Sequence, residues 1–273
     1  MNIMKSILLH IHDDVGQEAR LQVALDLARA SSGHISCVQV TPFEYYSGGD
    51  PFGGVYAFAD AVDAIRALER EARTRIEARM AREGVSWDWR KFDGNVIQTL
   101  IDQSRLMDVV VLSQPHTGGD ADRPPLGIGG DVAIHARAPV LSVGAKAMGF
   151  DVSGNAMLAW NGSGEAANAL RLSLPLLRHA GMVHIVEVSD DTRGLPSTEA
   201  SAYLSRHGIA SELHEWPAKG RKVDVALLHA AVELDAAYMV LGAYGHSRLR
   251  ETILGGVTRD LIRSSHLPLL LAH

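Results

Sequence analysis

Short apolar runs alternate along this chain with longer stretches in which apolar residues recur every three to four positions. Residues 5–12 (KSILLHIH) form an apolar segment that stops at Asp13 and Asp14. Behind them Ala19, Val23, Leu27 and Ala30 share one helical face, Gly33 ends the helix, and 34–40 (HISCVQV) read as the next strand. The same order returns from residue 156. AMLAW (156–160) reads as a strand, and Asn161-Gly162-Ser163 as a turn with an N-cap candidate. A Leu- and Ala-rich helix over 164–179 follows, Gly181 ends it, and MVHIVEV (182–188) is a strand. A constant shift of 148 lays Asp13 on Asn161, Gly33 on Gly181 and Val40 on Val188. Further along, VVVLSQ (109–114) and YMVLGA (238–243) are apolar strands. There a shift of 129 lays Asp131 on Asp260, Pro139 on Pro268 and Leu141 on Leu270.

The chain is therefore an internal repeat. Each copy reads β-α-β-α-β-α-β-α-β, and strands alternating with helices imply parallel sheets covered on both faces. The expected units are 1–146 and 153–273, with 145–154 as a linker that contains Gly149, Gly154 and few bulky residues. The change of shift is absorbed in the middles. The first unit has a Gly/Pro/aromatic loop (45–56) and a long charged helix (57–83), the second a shorter helix at 197–207. Each unit ends in a short apolar strand, APVLSVG (138–144) and LPLLLAH (267–273). A final strand lies at a sheet edge, and an uncovered apolar edge invites pairing. Two such edges in one chain can satisfy each other, giving an intramolecular pseudo-dimer. A ten-residue linker reaches roughly 30 Å, which allows it. Homodimerisation through another face stays open.

Composition narrows the class. Of 273 residues 47% are hydrophobic and 21% charged, ordinary for a globular protein. The net charge of −6, with both signs interspersed, gives no nucleic-acid-binding surface. No apolar stretch is long enough to span a bilayer, and the N-terminal apolar run is too short for a signal peptide, so a cytoplasmic protein without membrane attachment is expected. The single cysteine, Cys37, lies in an apolar run and reads as a buried structural thiol.

In sheets of this kind ligands bind beyond the carboxyl ends of the strands, where strand order reverses. In the second unit that place holds a glycine-punctuated loop, Gly242-Ala243-Tyr244-Gly245-His246-Ser247-Arg248, running on to Gly255-Gly256-Val257-Thr258-Arg259 at a helix start. Glycines let backbone approach a ligand, and the first amides of a helix suit an anion such as phosphate. Arg248, Arg250 and Arg259 add positive charge. The Gly-Lys-Ser/Thr ending of a Walker A loop is absent.

The spacing G-x-x-G-(nine residues)-G, with AWNGS at 159–163 and LPLL at 174–177, resembles the universal stress protein family, in its tandem bacterial form. The resemblance covers nearly the whole chain. It implies two flavodoxin-like (Rossmann-like) units, each a five-stranded parallel sheet with helices on both faces, and in one branch ATP binding. The implied cofactor is ATP or another adenine nucleotide, with Mg²⁺. The implied contact set is Asn161, Gly242, Gly245, His246, Arg248, Gly255, Gly256, Val257 and Thr258. Two departures stand out: Gly256 replaces the usual Ser or Thr, and Asn161 replaces the usual acid. The first unit keeps an acid at Asp13 but reads Ser113-Gln114-Pro115-His116 in the loop, where Pro115 removes a backbone donor, so no nucleotide is expected there.

Other constellations carry less. His10 and His12 share one side of a strand, and His116 could approach them, but hydrogen-bonded histidines are the simpler reading. The charged run 69–82 reads as a solvated helix face, and Trp87 and Trp89 as one face of a strand. His246 and Ser247 lack a nucleophile elbow. No acid–base pair or metal-ligand set emerges. The sequence reads as a nucleotide-responsive regulatory or stress-response module with an unknown protein partner. The alternatives are a slow Mg²⁺-dependent ATP hydrolase and an interaction protein with a vestigial loop.

Overall fold

The computed structural model describes residues 4–42, 54–115, 127–189, 194–243 and 256–273, with side chains for all of these except 54–63 and 189. Strands and helices alternate within each half: β1 (Ser6–Ile11), α1 (Gln17–Ser31), β2 (His34–Thr41), α2 (Gly54–Met80), β3 (Ser86–Asp93), α3 (Val96–Gln103), β4 (Val109–Ser113), α4 (Gly129–His135) and β5 (Val140–Val143), then β6 (Asn155–Trp160), α5 (Gly164–Leu177), β7 (Val183–Ser189), α6 (Ser197–Arg206), β8 (Ser211–Pro217), α7 (Val223–Glu233), β9 (Ala236–Gly242), α8 (Gly256–Ser264) and β10 (Leu269–Ala272). The helix predicted at 164–179 and the one at 197–207 are present within two residues. Loop 45–56 lies almost entirely outside the described residues.

All ten strands join one sheet in the order β3-β2-β1-β4-β5-β10-β9-β6-β7-β8. Pairing is parallel throughout except at the centre, where β5 and β10 run antiparallel with Leu141 opposite Leu270. This is the edge-to-edge pairing that the two apolar final strands predict. The order within each half is 3-2-1-4-5. That is the Rossmann arrangement, and the flavodoxin expectation is corrected, since that order would be 2-1-3-4-5. Periodicity shows which segments are strands and not which of them neighbour in space.

The apolar residues fall into two layers. Residues of α1, α2, α5 and α6 pack on one face of the sheet. Those of α3, α4, α7 and α8 pack on the other. Corresponding helices of the two halves thus share a face while their strands oppose. A pseudo-twofold axis perpendicular to the sheet, passing between β5 and β10, produces this. The linker is not a loose tether. Phe150 and Val152 are buried in the first layer, the Phe150 ring lies 5.2 Å from that of buried Tyr238, and the Phe150 amide donates to Asp26 at 2.9 Å. Cys37 is buried, and desolvation pushes its thiol up to about 12, which keeps it protonated and inert.

Leu270 is 1% exposed and Leu141 fully buried at the central pair. A Leu270→Glu change should bury an unpaired charge there and cost about 3–5 kcal/mol. Because both core layers run across the seam, urea denaturation followed by far-UV circular dichroism should show one shifted cooperative transition. Two separate transitions, or an inert variant, would mean that the halves are independent.

Candidate functional site

The two switch points lie between β1 and β4 and between β6 and β9. The perpendicular pseudo-twofold axis turns their carboxyl ends to opposite ends of the sheet. Each crevice is built by one half.

In the second half, β6 hands the chain to Asn161-Gly162-Ser163. Gly162 has φ of +72°, a left-handed conformation that glycine takes freely. A Cβ there would come within 2.5 Å of the Leu195 nitrogen. The close approach lets the Leu195 amide donate to the Gly162 carbonyl at 2.9 Å, while Trp160 Nε1 donates to the Leu195 carbonyl at 2.8 Å. Residues 194–195 thereby form one wall. Ser163 caps α5, its hydroxyl accepting from the Ala166 amide at 3.1 Å. Asn161 is exposed, and its Oδ1 accepts from the Ser163 amide at 3.1 Å. What Asn161 can offer a ligand is therefore its Nδ2 donor, whereas an acid would offer an acceptor.

The opposite wall is the end of β9. A Cβ on Gly242 would meet the Ala166 nitrogen at 2.6 Å and the Glu165 carbonyl carbon at 2.7 Å, so only glycine lets this strand end lie against the first turn of α5. The Ala243 amide donates to the Ala272 carbonyl at 2.7 Å, and His273 Nδ1 lies 2.8 Å from the Ala243 carbonyl. Gly256 and Val257 open α8, and buried Thr258 donates its hydroxyl to the Gly242 carbonyl at 3.4 Å. Thr258 thus ties the helix to the strand end. Among the predicted contacts, Asn161 and Gly242 flank the start of α5, and Gly256, Val257 and Thr258 flank the end of β9. Gly245, His246, Arg248, Arg250 and Gly255 lie outside the described residues. The sequence reading missed Glu165. Its Oε2 is shut from solvent without a partner among the described residues. A carboxylate accepts only, so this oxygen suits a hydroxyl or amino donor and opposes a phosphate.

The first crevice is filled. Arg20 is wholly buried and its Nη1 lies 2.8 Å from Asp14 Oδ1, with the Asp14 side chain 1% exposed. The guanidinium also donates to the carbonyls of His10 and His12 at 3.2 and 2.7 Å, to Gln17 Oε1 at 2.9 Å and to the Ser113 hydroxyl. The buried faces of α1 and α5 match as Gln17, Arg20, Ala24 and Leu27 against Ala166, Ala169, Ser173 and Leu176, so Arg20 stands where the second half has Ala169. Ser113 stands where it has Gly242. Register corrects the acid as well. Leu8 faces Val110 and Met157 faces Met239, while Val110 and Met239 face Val140 and Leu269. This sets His12, not Asp13, in the place of Asn161. Asp13 is turned to Arg75 of α2 at 2.8 Å, and Asp14 is the buried acid. A one-residue slip between β1 and β2 hides this from a constant shift. Gln114 completes the seal, donating across the seam to the Leu267 carbonyl at 3.2 Å. The signal for Arg20 was legible: it lies three and seven residues before Val23 and Leu27, on the apolar face of α1.

Burial and the adjacent Arg20 hold His10 well below the ordinary 6.5, and burial lowers His12. Their rings stack with centroids 5.9 Å apart. Beside a buried guanidinium they make a poor cation site.

No family model matches the sequence, and no curated protein does. Solved structures do match. A universal stress protein from Archaeoglobus fulgidus DSM 4304 superposes with a TM-score of 0.71 at 17% identity, covering 97% of each chain. A provisionally named universal stress protein from Pseudomonas aeruginosa UCBPP-PA14 gives 0.55 at 17% identity, over 98% of this chain and 93% of that one. A protein of unknown function from Pseudomonas aeruginosa PAO1 gives 0.55 at 17% identity, over 98% and 92%. The chain has the fold of these near-full-length relatives in structure. Among the described residues no helix is long and apolar enough to cross a membrane.

Arg20→Ala should strand the Asp14 carboxylate and cost about 3–5 kcal/mol in chemical denaturation, and Arg20→Ala with Asp14→Ala together should recover part of that loss. Stability should also depend on pH. His10 and His12 have folded values below their unfolded ones, so the unfolded chain binds protons first. Stability is then complete above pH about 6.5 and falls as pH drops toward the lowered folded values. His10→Gln should flatten that fall, which denaturation midpoints between pH 5 and 8 will read.

Proposed function

We propose that this chain is a tandem universal stress protein in which 153–273 holds one adenine nucleotide, ATP or a relative with Mg²⁺, and 1–146 is a partner half without a nucleotide. It acts as a nucleotide-responsive binding or regulatory module. Asn161, Gly242, Gly245, His246, Arg248, Gly255, Gly256, Val257 and Thr258 form the contact set, and Thr258 contributes by fixing the start of α8 rather than through its engaged hydroxyl.

What carries the reading is the contrast between the two crevices. One is closed by the Arg20–Asp14 pair. The other has Ala169 and Gly242 at the same places and is framed by a helix start and backbone amides. The nearly full-length fold match supports the tandem assignment. Asn161 as a donor and Glu165 as an acceptor favour a polar, hydroxyl-bearing nucleoside.

Calorimetry with ATP, ADP and AMP should give one site per chain. Asn161→Ala, at an exposed position, should weaken binding by about 1 kcal/mol, the loss of one hydrogen bond. Gly245→Val should abolish it. At Gly256 an added Cβ meets nothing within 4 Å among the described residues, so Gly256→Ser should be tolerated and should tighten phosphate binding by about 0.5–1.5 kcal/mol. Two equivalent sites, or unchanged binding by the Gly245→Val protein, would overturn the reading. Steady release of phosphate from ATP with Mg²⁺ would replace it with a hydrolase.

A further inference from the structure

At the far edge of the second half, away from both crevices, three ligand-type side chains converge on one face of β7 and β8. His184 lies directly opposite Glu212, and His214 is two residues on from Glu212, so both β8 side chains share that face. His184 Nδ1 lies 3.1 Å from His214 Nε2 and 3.4 Å from Glu212 Oε2, and His214 Nε2 lies 3.7 Å from the same oxygen. The three atoms form a nearly equilateral triangle.

Zinc binds imidazole nitrogen at about 2.0–2.1 Å and carboxylate oxygen at about 2.0–2.2 Å, and tetrahedral angles at those lengths require ligand atoms about 3.4 Å apart. Neighbouring ligands of an octahedral ion at about 2.1 Å stand only about 3.0 Å apart. The observed edges centre on the tetrahedral value. Two imidazoles and one carboxylate are also a donor set that zinc uses with an open fourth position.

We propose that His184, Glu212 and His214 bind a divalent cation of the zinc type in tetrahedral geometry, with water as the fourth ligand. Exposure grades outward across the site. The side chains of His184, His214 and Glu212 are 9%, 24% and 55% exposed, so the cation has a packed floor and an open mouth for the water. Rigid strands hold the donors, which suits a preformed site. The ordinary alternative is a hydrogen-bonded cluster in which one imidazole donates to the other. This proposal is independent of the nucleotide reading.

The test uses the full chain without an affinity tag. Titration calorimetry with Zn²⁺ should show one tight equivalent per chain. Glu212→Gln, at an exposed position, and His214→Ala should each weaken that equivalent by more than about ten-fold while leaving the far-UV circular dichroism unchanged. Co²⁺ in place of Zn²⁺ should give the intense visible d–d bands of a four-coordinate ion. Zn²⁺ should raise the thermal midpoint of the wild type and not that of Glu212→Gln. No tight equivalent, equal affinity in the wild type and both variants, or a weak six-coordinate cobalt spectrum would overturn the proposal.

Discussion

The antiparallel pairing of β5 with β10 is the constraint on which the rest of the molecule depends. Each is a four-residue strand, buried along its whole length, at what would otherwise be the bare edge of a five-strand half. Left open, such an edge would template association with other chains. Joined, the two edges remove each other and extend both core layers across the middle. The pairing also fixes the symmetry. Two parallel halves can meet antiparallel and keep like helices on like faces only through an axis perpendicular to the sheet. From that follows the placing of the crevices at opposite ends, where no single ligand can span them.

Symmetry of fold has not kept symmetry of site. The first crevice holds a buried ion pair, and such a pair seldom stabilises a protein over an apolar replacement of similar shape, because desolvating both charges offsets their attraction. Here the guanidinium is satisfied by two backbone carbonyls, Gln17 and Ser113 besides the carboxylate. Arg20 therefore also closes the carbonyls that β1 leaves open at its end, at the place where a ligand would otherwise lie. The second half leaves the equivalent ground to Ala169 and shapes it with glycines that bring backbone close on both sides.

Much of this was legible in the sequence and some was not, for physical reasons. Element type followed from periodicity, since a two-residue or a 3.6-residue repeat is dictated by which side faces the core. The seam followed from two apolar final strands that needed cover. Strand order did not follow, because it is set by crossovers that leave the same local pattern in either topology. The place of Asp13 was misread because one residue is gained between β1 and β2 relative to their counterparts, and a constant shift cannot see a slip within a turn. The packing of the linker was not legible from its mostly small residues: Phe150 and Val152 are core residues, and a Cβ on Gly149 would meet Asp26 Oδ2 at 2.8 Å. The cluster of His184, Glu212 and His214 joins residues on two strands, and only register brings them together.

The candidate nucleotide site and the seam are not mechanically separate. β10 lies between β5 and β9, so the strand that joins the halves also supports the strand from which the glycine loop departs. The start of that loop is held from β10's side at two points, the Ala243 amide on the Ala272 carbonyl and the Ala243 carbonyl beside His273 Nδ1. Helix α5, whose first turn forms the floor of the crevice, reaches the same place through Asn168, which donates to the His273 carbonyl at 2.6 Å. Loop start, helix and seam strand thus meet in one small hydrogen-bonded knot. A ligand held beside the end of β9 would therefore lie against residues anchored by the strand that joins the two halves.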